Sequence, residues 1–254
     1  MFKKLVHLSN PLMPAPVLPP SRSPTPPSRR PASARKAASA ERRDRRTDIL
    51  LAAEKLFAQH GYHAVSLRQI ASEAGVPLAL VGYYFGAKNE LFHAIFERWQ
   101  PTIEARLALL REAVSETREQ PSALPRIVSA FVEPVLRMRA SPEGESYALL
   151  VSRELSYARD EADRVLHDFF DPLAHAFIDA LHSARPGVSR AQVAWSYQFA
   201  LGALLHHISD RRIERLSHGV STPNDADAAP LLVRFITAGI DAALQTQTTP
   251  RRPS

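Results

Sequence analysis

From about residue 42 onward, apolar residues recur at spacings of three and four, and the strict alternation of a half-buried strand is nowhere sustained. In the first such stretch Ile49, Ala52, Ala53, Leu56 and Phe57 share one helical face, and Gly61 supplies a stop. Ser66 and Gln69 form a Ser-x-x-Gln capping box ahead of a short second helix that turns Leu67, Ile70 and Ala71 inward. Gly75 ends it, since a left-handed residue after a helix costs glycine little, and Pro77 suits the first turn of the next helix. That third helix, about 78–84, is almost without polar residues and closes on Tyr83 and Tyr84.

Longer helices are predicted over 88–117, 122–139, 143–157, 161–184, 189–216 and 227–246. Pro101 should kink or split the first, Pro172 interrupts the fourth, and Ser189 with Gln192 opens the fifth with another capping box. The fold class is all-α. The last two helices are apolar on nearly all sides. One carries Val193, Tyr197, Leu201, Leu204 and Ile208 on one face and Trp195, Phe199, Gly202 and Ala203 on another. In the other, Leu231, Leu232, Val233, Phe235, Ile236, Ile240 and Leu244 leave one polar stripe of Arg234, Thr237 and Asp241. Such helices must be buried on nearly all sides, and a second copy of the chain would cover them.

Charge divides the chain further. The first 46 residues hold eleven Lys/Arg against Glu41 and Asp44, whereas the remainder is mildly acidic. Residues 1–41 are a Pro- and Ser-rich basic arm without helical or strand period, expected to be disordered, and 247–254 form a similar tail. A basic arm on an acidic body suits a polyanionic partner, double-stranded DNA above all; it lacks the apolar face that a membrane-surface helix needs. No run approaches the ~18 apolar residues of a membrane span, and without cysteine there is no disulfide or thiolate chemistry. A cytoplasmic protein is expected.

Catalysis, metal and cofactor are not expected. His167, His175 and His182 stand eight and seven apart, but Pro172 intervenes and no His-Glu-x-x-His pattern occurs. His206 and His207 are adjacent and point to different faces. Neither a Gly-rich phosphate loop nor a nucleophile motif is present.

Two helices joined by a glycine-containing turn are a helix-turn-helix or an ordinary helical corner. The surrounding residues decide. The run "ILLAAEKLFAQHGYHAVSLRQIASEAGVPLALVGYYFGAKNELFHAIF" closely resembles the DNA-binding domain of the TetR family of transcriptional regulators. The resemblance implies a three-helix DNA-binding domain over 42–92, with its motif about 66–85, and a helical ligand-binding and dimerisation domain over 93–246. It makes Pro77, Leu78, Ala79, Leu80 and Gly82 part of a recognition helix in the major groove. Tyr83, Tyr84 and Lys88 then grip the phosphate backbone, with Ser66 and Arg68 placed to touch it too. The chain departs from the family where the recognition helix is apolar, where Gly82 occupies a position often held by tyrosine, and where Ala87 replaces a serine cap. Apolar side chains pack on thymine methyl groups but make no bidentate base contact.

The resemblance further implies an effector pocket. The residues chosen for it by position and type are Trp99, Phe131, Tyr147, Val151, Tyr157, Phe170, Phe177 and Phe199, with Arg153, His175 and His206 as polar anchors. For the dimer interface they are Trp195, Phe199, Gly202, Leu232, Phe235, Ile236, Gly239 and Ile240. The function expected is a ligand-responsive repressor, a homodimer on a pseudo-palindromic operator, released by a small molecule. The alternative is a sensing or interaction protein of the same fold with weak DNA binding.

Overall fold

The computed structural model describes residues 32–115, 123–156, 160–225 and 227–245, with side chains given from residue 44 onward except for 160–162. Expectations for residues 1–31 and 246–254, for the helix end at 116–117, and for Tyr157 lie outside the described residues. Among the described residues every regular element is helical.

Helix α1 is Ala32–His60, beginning well before residue 42; its early half is rich in Ala and Arg, both strong helix formers, so it needs no apolar face to be helical. The described residues before and after position 40 fall into two separate units. Within the second, Ile49, Ala53 and Phe57 are fully buried, as their spacing predicted. Gly61 follows α1 at φ 82°, a conformation that favours glycine; the Arg153 side chain packs close by, 2.9 Å from where a Cβ would stand.

Next come α2 (Leu67–Glu73) and α3 (Leu78–Phe85). The Ser66–Gln69 capping box closes in both directions, and Gly75 takes its left-handed turn at φ 64°. Helix α4 (Lys88–Ser115) runs through Pro101 without splitting; Thr102 Oγ1 donates to the Trp99 carbonyl oxygen at 2.6 Å, in the turn the proline disturbs. α5 is Ala123–Ala140 and α6 is Glu145–Ser156.

The helix expected over 161–184 is instead α7 (Asp160–Val165), a π turn (Leu166–Phe170) and α8 (Asp171–Ala184). The Asp171 amide bonds Leu166 O, five residues back, and this wide turn accommodates Pro172, which has no N–H to continue an α ladder. α9 (Arg190–Ser209) stops short of residue 216 because Asp210 turns extended, its carboxylate accepting the Arg212 amide at 2.8 Å. A four-residue α10 (Ile213–Leu216) and α11 (Ala228–Ala243) follow.

Two cores result. Phe57, Ile70, Val81, Phe85, Phe92 and Phe96 bind α1–α3 to the start of α4 and continue into Tyr147 and Leu150 of α6. Ile103, Phe131, Leu173, Phe177, Val193, Leu204 and Ile240 hold the later half of α4 to α5, α8, α9 and α11. Helix α4 belongs to both.

Candidate nucleic-acid interface and effector cavity

The first site is the α2–turn–α3 unit. Buried Val81 and Phe85 set the orientation of α3, so Leu78, Ala79, Gly82 and Tyr83 face outward, with Pro77 exposed just ahead of the helix. Tyr83 is 73% exposed, and nothing lies within 4 Å of where a Gly82 Cβ would be. Leu80 and Tyr84 are half-buried; the Tyr84 ring packs on the small core and meets Tyr83 edge-on at 5.2 Å.

Arg68 is exposed at the start of α2, whereas the Ser66 hydroxyl is engaged with Gln69 in the cap. Lys88 is half-buried: its ammonium donates to Val65 O at 2.8 Å and lies 4.2 Å from the Tyr62 ring centre. It ties the head of α4 to the residue preceding the α2 cap. Arg46 lies over the Phe85 ring at 4.9 Å, bringing a guanidinium from α1 to the same small domain.

The second site is a cavity of about 390 Å³ among α4, α5, α6, the π turn, α8 and α9, within the roughly 300–1,000 Å³ of small-molecule pockets. Of the sequence-chosen residues, Phe131, Tyr147, Val151 and Phe170 line it. Trp99 stands behind the wall, stacked on Tyr147 at 4.7 Å, and Phe177 backs Phe131 edge-on at 5.2 Å.

The proposed polar anchors are elsewhere. Arg153 is exposed and donates to Gln59 O at 3.5 Å, near the end of α1, where a cation complements helix carbonyls. His175 is exposed on α8, and His206 pairs with Asp210 at 3.1 Å. Their positions on amphipathic helices did not reveal which way the helices turn.

What the sequence reading missed are Arg106 and Tyr197. Both line the cavity, with Arg106 Nη2 donating to Phe131 O at 3.3 Å. Burial pushes the Tyr197 phenol up to about 12 and Tyr147 well above the usual tyrosine range, so both stay protonated donors. Burial also lowers Arg106, which as a guanidinium nevertheless keeps its charge. Arg106 is spaced three residues from Ile103 and four from Leu110, on the buried side of α4, a charged residue at an apolar position; that was the available signal.

The third feature is an apolar face on α9 and α11. Trp195 and Phe199, stacked at 5.9 Å, and Leu231 and Phe235 are each at least 60% exposed. Gly202 and Gly239 are exposed too, with open space where a Cβ would stand. Leu232 is half-buried, and Ile236 and Ile240 are buried in the chain's own core, so they hold α11 from behind instead of facing outward.

Residues 49–95 match the family model for bacterial regulatory proteins of the tetR family, and residues 129–239 match that of the tetracyclin repressor-like C-terminal domain. The chain belongs to the TetR family. A curated relative, the HTH-type transcriptional activator FasR of Mycolicibacterium smegmatis, is 32% identical over 92 residues, 36% of this chain and 41% of its own length. The chain thus spans less than half of that relative. The HTH-type transcriptional regulator LmrA of Bacillus subtilis is 25% identical over 178 residues, 69% of this chain and 92% of its own. Among solved structures, a TetR-family transcriptional regulator from Bordetella parapertussis shares the fold at a TM-score of 0.54 and 18% identity, over 75% of this chain and 93% of that one.

Proposed function

We propose that this TetR-family chain is a ligand-responsive DNA-binding transcriptional regulator, acting as a homodimeric repressor released by a small molecule. The observation that carries the reading is the outward face of α3, where Leu78, Ala79, Gly82 and Tyr83 stand free of the chain's own packing. A helix of this length with one side anchored by Val81 and Phe85 fits a major groove. Leu78 and Ala79 supply methyl contacts, Gly82 lets the helix approach closely, and the Tyr83 hydroxyl reaches a phosphate oxygen. Pro77 and the half-buried Leu80 set how the helix enters. Tyr84 braces Tyr83, Arg68 and the α2 N-terminus add backbone contacts, and Lys88 orients α2 while adding its charge.

The exposed apolar face of α9 and α11 supports a two-fold dimer, with Gly202 and Gly239 admitting the partner helices. Two α3 helices would then read half-sites at least one DNA turn apart, roughly 34–36 Å. The cavity supports effector control, because α4 both lines it and packs against α1–α3. An effector that binds the DNA-incompetent state better shifts the equilibrium by its differential affinity, typically ~1–3 kcal/mol. No helix among the described residues is long and apolar enough to cross a membrane, and DNA binding places the protein in the cytoplasm on this reading.

The test is selection of genomic fragments by the purified protein at moderate salt, followed by footprinting. A short pseudo-palindromic footprint lost on Tyr83→Ala is expected. Sequence-indifferent, salt-labile binding alone would overturn specific regulation and leave a sensing protein of the same fold.

A further inference from the structure

The wall of the cavity is mostly apolar, and two polar atoms of its lining residues are buried without a partner. Arg106 Nε is buried without a hydrogen-bond partner, and so is the Tyr147 hydroxyl. Where an acid would be expected, the Phe131 and Phe177 rings face the guanidinium, each 5.9 Å from its carbon. Among the described residues no carboxylate lies within ion-pair distance of Arg106. The other charged lining residues, Arg137 and Asp171, are exposed; Arg137 pairs with Glu133 at 3.3 Å. Water screens them both. The inner charge is a single cation.

A buried cation without an anion is costly, and a buried phenol without an acceptor adds to the cost. Both deficits would be met by one ligand group that accepts two hydrogen bonds and carries one negative charge. Arg donors match a carboxylate in geometry as well as charge. The remaining wall, with Ile103, Val135, Leu173, Leu201 and Leu204, suits an apolar body. A volume of about 390 Å³ lies at the small end of ligand pockets, which favours a medium-length alkyl chain or one to two rings.

We propose that the effector is an apolar monocarboxylate whose oxygens accept from the Arg106 guanidinium and the Tyr147 hydroxyl, with the apolar body against the leucines of α8 and α9. This rests on the cavity being the effector site.

The test uses the full chain and a matched set of probes: straight-chain acids from hexanoate to hexadecanoate, naphthoates, and the methyl ester and amine counterpart of each. Binding is read by calorimetry and by the emission of Trp99, which stacks on Tyr147. At least one acid is expected to bind about tenfold or more tightly than its ester, with no measurable binding of its amine. Arg106→Met should abolish the preference for acid over ester, and Tyr147→Phe should weaken the acid several-fold. Esters or amines that bind as well as acids would overturn the proposal. So would unchanged acid affinity in Arg106→Met, or a full set without a binding acid. DNA release is measured separately. Acids that bind without releasing DNA would leave the pocket chemistry standing and sink effector control; release by a neutral compound alone would do the reverse.

Discussion

The indole N–H of Trp99 on α4, behind the cavity wall, donates to Oε2 of the buried Glu54 on α1 at 2.7 Å. The other side of this relationship is the Trp99–Tyr147 stack, nearly parallel at 13°. One side chain therefore touches both the group proposed to meet the effector and a buried carboxylate of α1. Arg98 adds a longer ion pair to the same Glu54 oxygen at 3.4 Å.

Trp99→Phe keeps an aromatic face for Tyr147 but leaves Glu54 with one donor fewer. A buried acceptor that loses its partner costs about 1–3 kcal/mol. Urea unfolding should show that loss. If the contact carries coupling, the effector's fold-effect on DNA affinity should also shrink, measured by titration with and without effector. A destabilised but folded variant with undiminished release would show that the contact is structural alone.

Glu54 sets a pH dependence. Burial raises its carboxyl above the ordinary 4.5, with the Trp99 bond and Arg98 pulling it partly back. The folded state therefore holds this proton more tightly than the unfolded one. The stability contribution is fully present below about pH 4.5 and is lost as pH rises through the folded value. Glu54→Gln, which retains an acceptor for Trp99, should remove that slope. The measurement is unfolding free energy against pH for both proteins. Their difference cancels Glu154, also raised by burial, and His207, lowered by it. A difference flat from pH 4.5 to 7.5 would refute the assignment.

Gly82 is not required by the fold of α3. It has no positive φ, and a methyl group would meet nothing. Gly82→Ala should stabilise the protein by about 0.5–1 kcal/mol, since alanine is the better helix former. On specific DNA it should lose affinity, about tenfold or more, if a base edge or sugar comes close to the bare Cα. Thermal unfolding and titration of the footprinted site test the two halves. Stabilisation with full DNA affinity would remove Gly82 from the interface.

Phe235 is 68% exposed in the middle of the apolar face on α11. Phe235→Glu places a carboxylate where the partner helix is proposed to lie. Central aromatic anchors of an interface are worth roughly 2–4 kcal/mol, so the dimer dissociation constant should rise at least about thirtyfold. Sedimentation velocity over a concentration series reads this directly. A wild-type chain that sediments as a monomer would itself refute the dimer.

Local elements were legible in the sequence because their causes are local. The Ser66–Gln69 and Ser189–Gln192 boxes, the Gly61 and Gly75 stops, and the inward faces of α1 and α2 depend on residues a turn apart, and all are present. Val81 and Phe85, left out of the contact residues on the sequence, are the buried side of α3.

Which helix faces which is decided by tertiary packing, and no periodicity contains it. Arg153 looked like a pocket anchor because its neighbours on α6 line the cavity, yet it turns toward Gln59 and Gly61. Arg106 passed unnoticed because one charge on a long amphipathic helix is ordinarily a solvated one. Burial by Phe131, Phe177 and their neighbours makes it the unmatched cation of the cavity. The sequence by itself determined the all-α class, the helix-turn-helix and two helices too apolar to stand alone. The tertiary structure decided which polar groups lost their water, because desolvation depends on neighbours far apart in the chain.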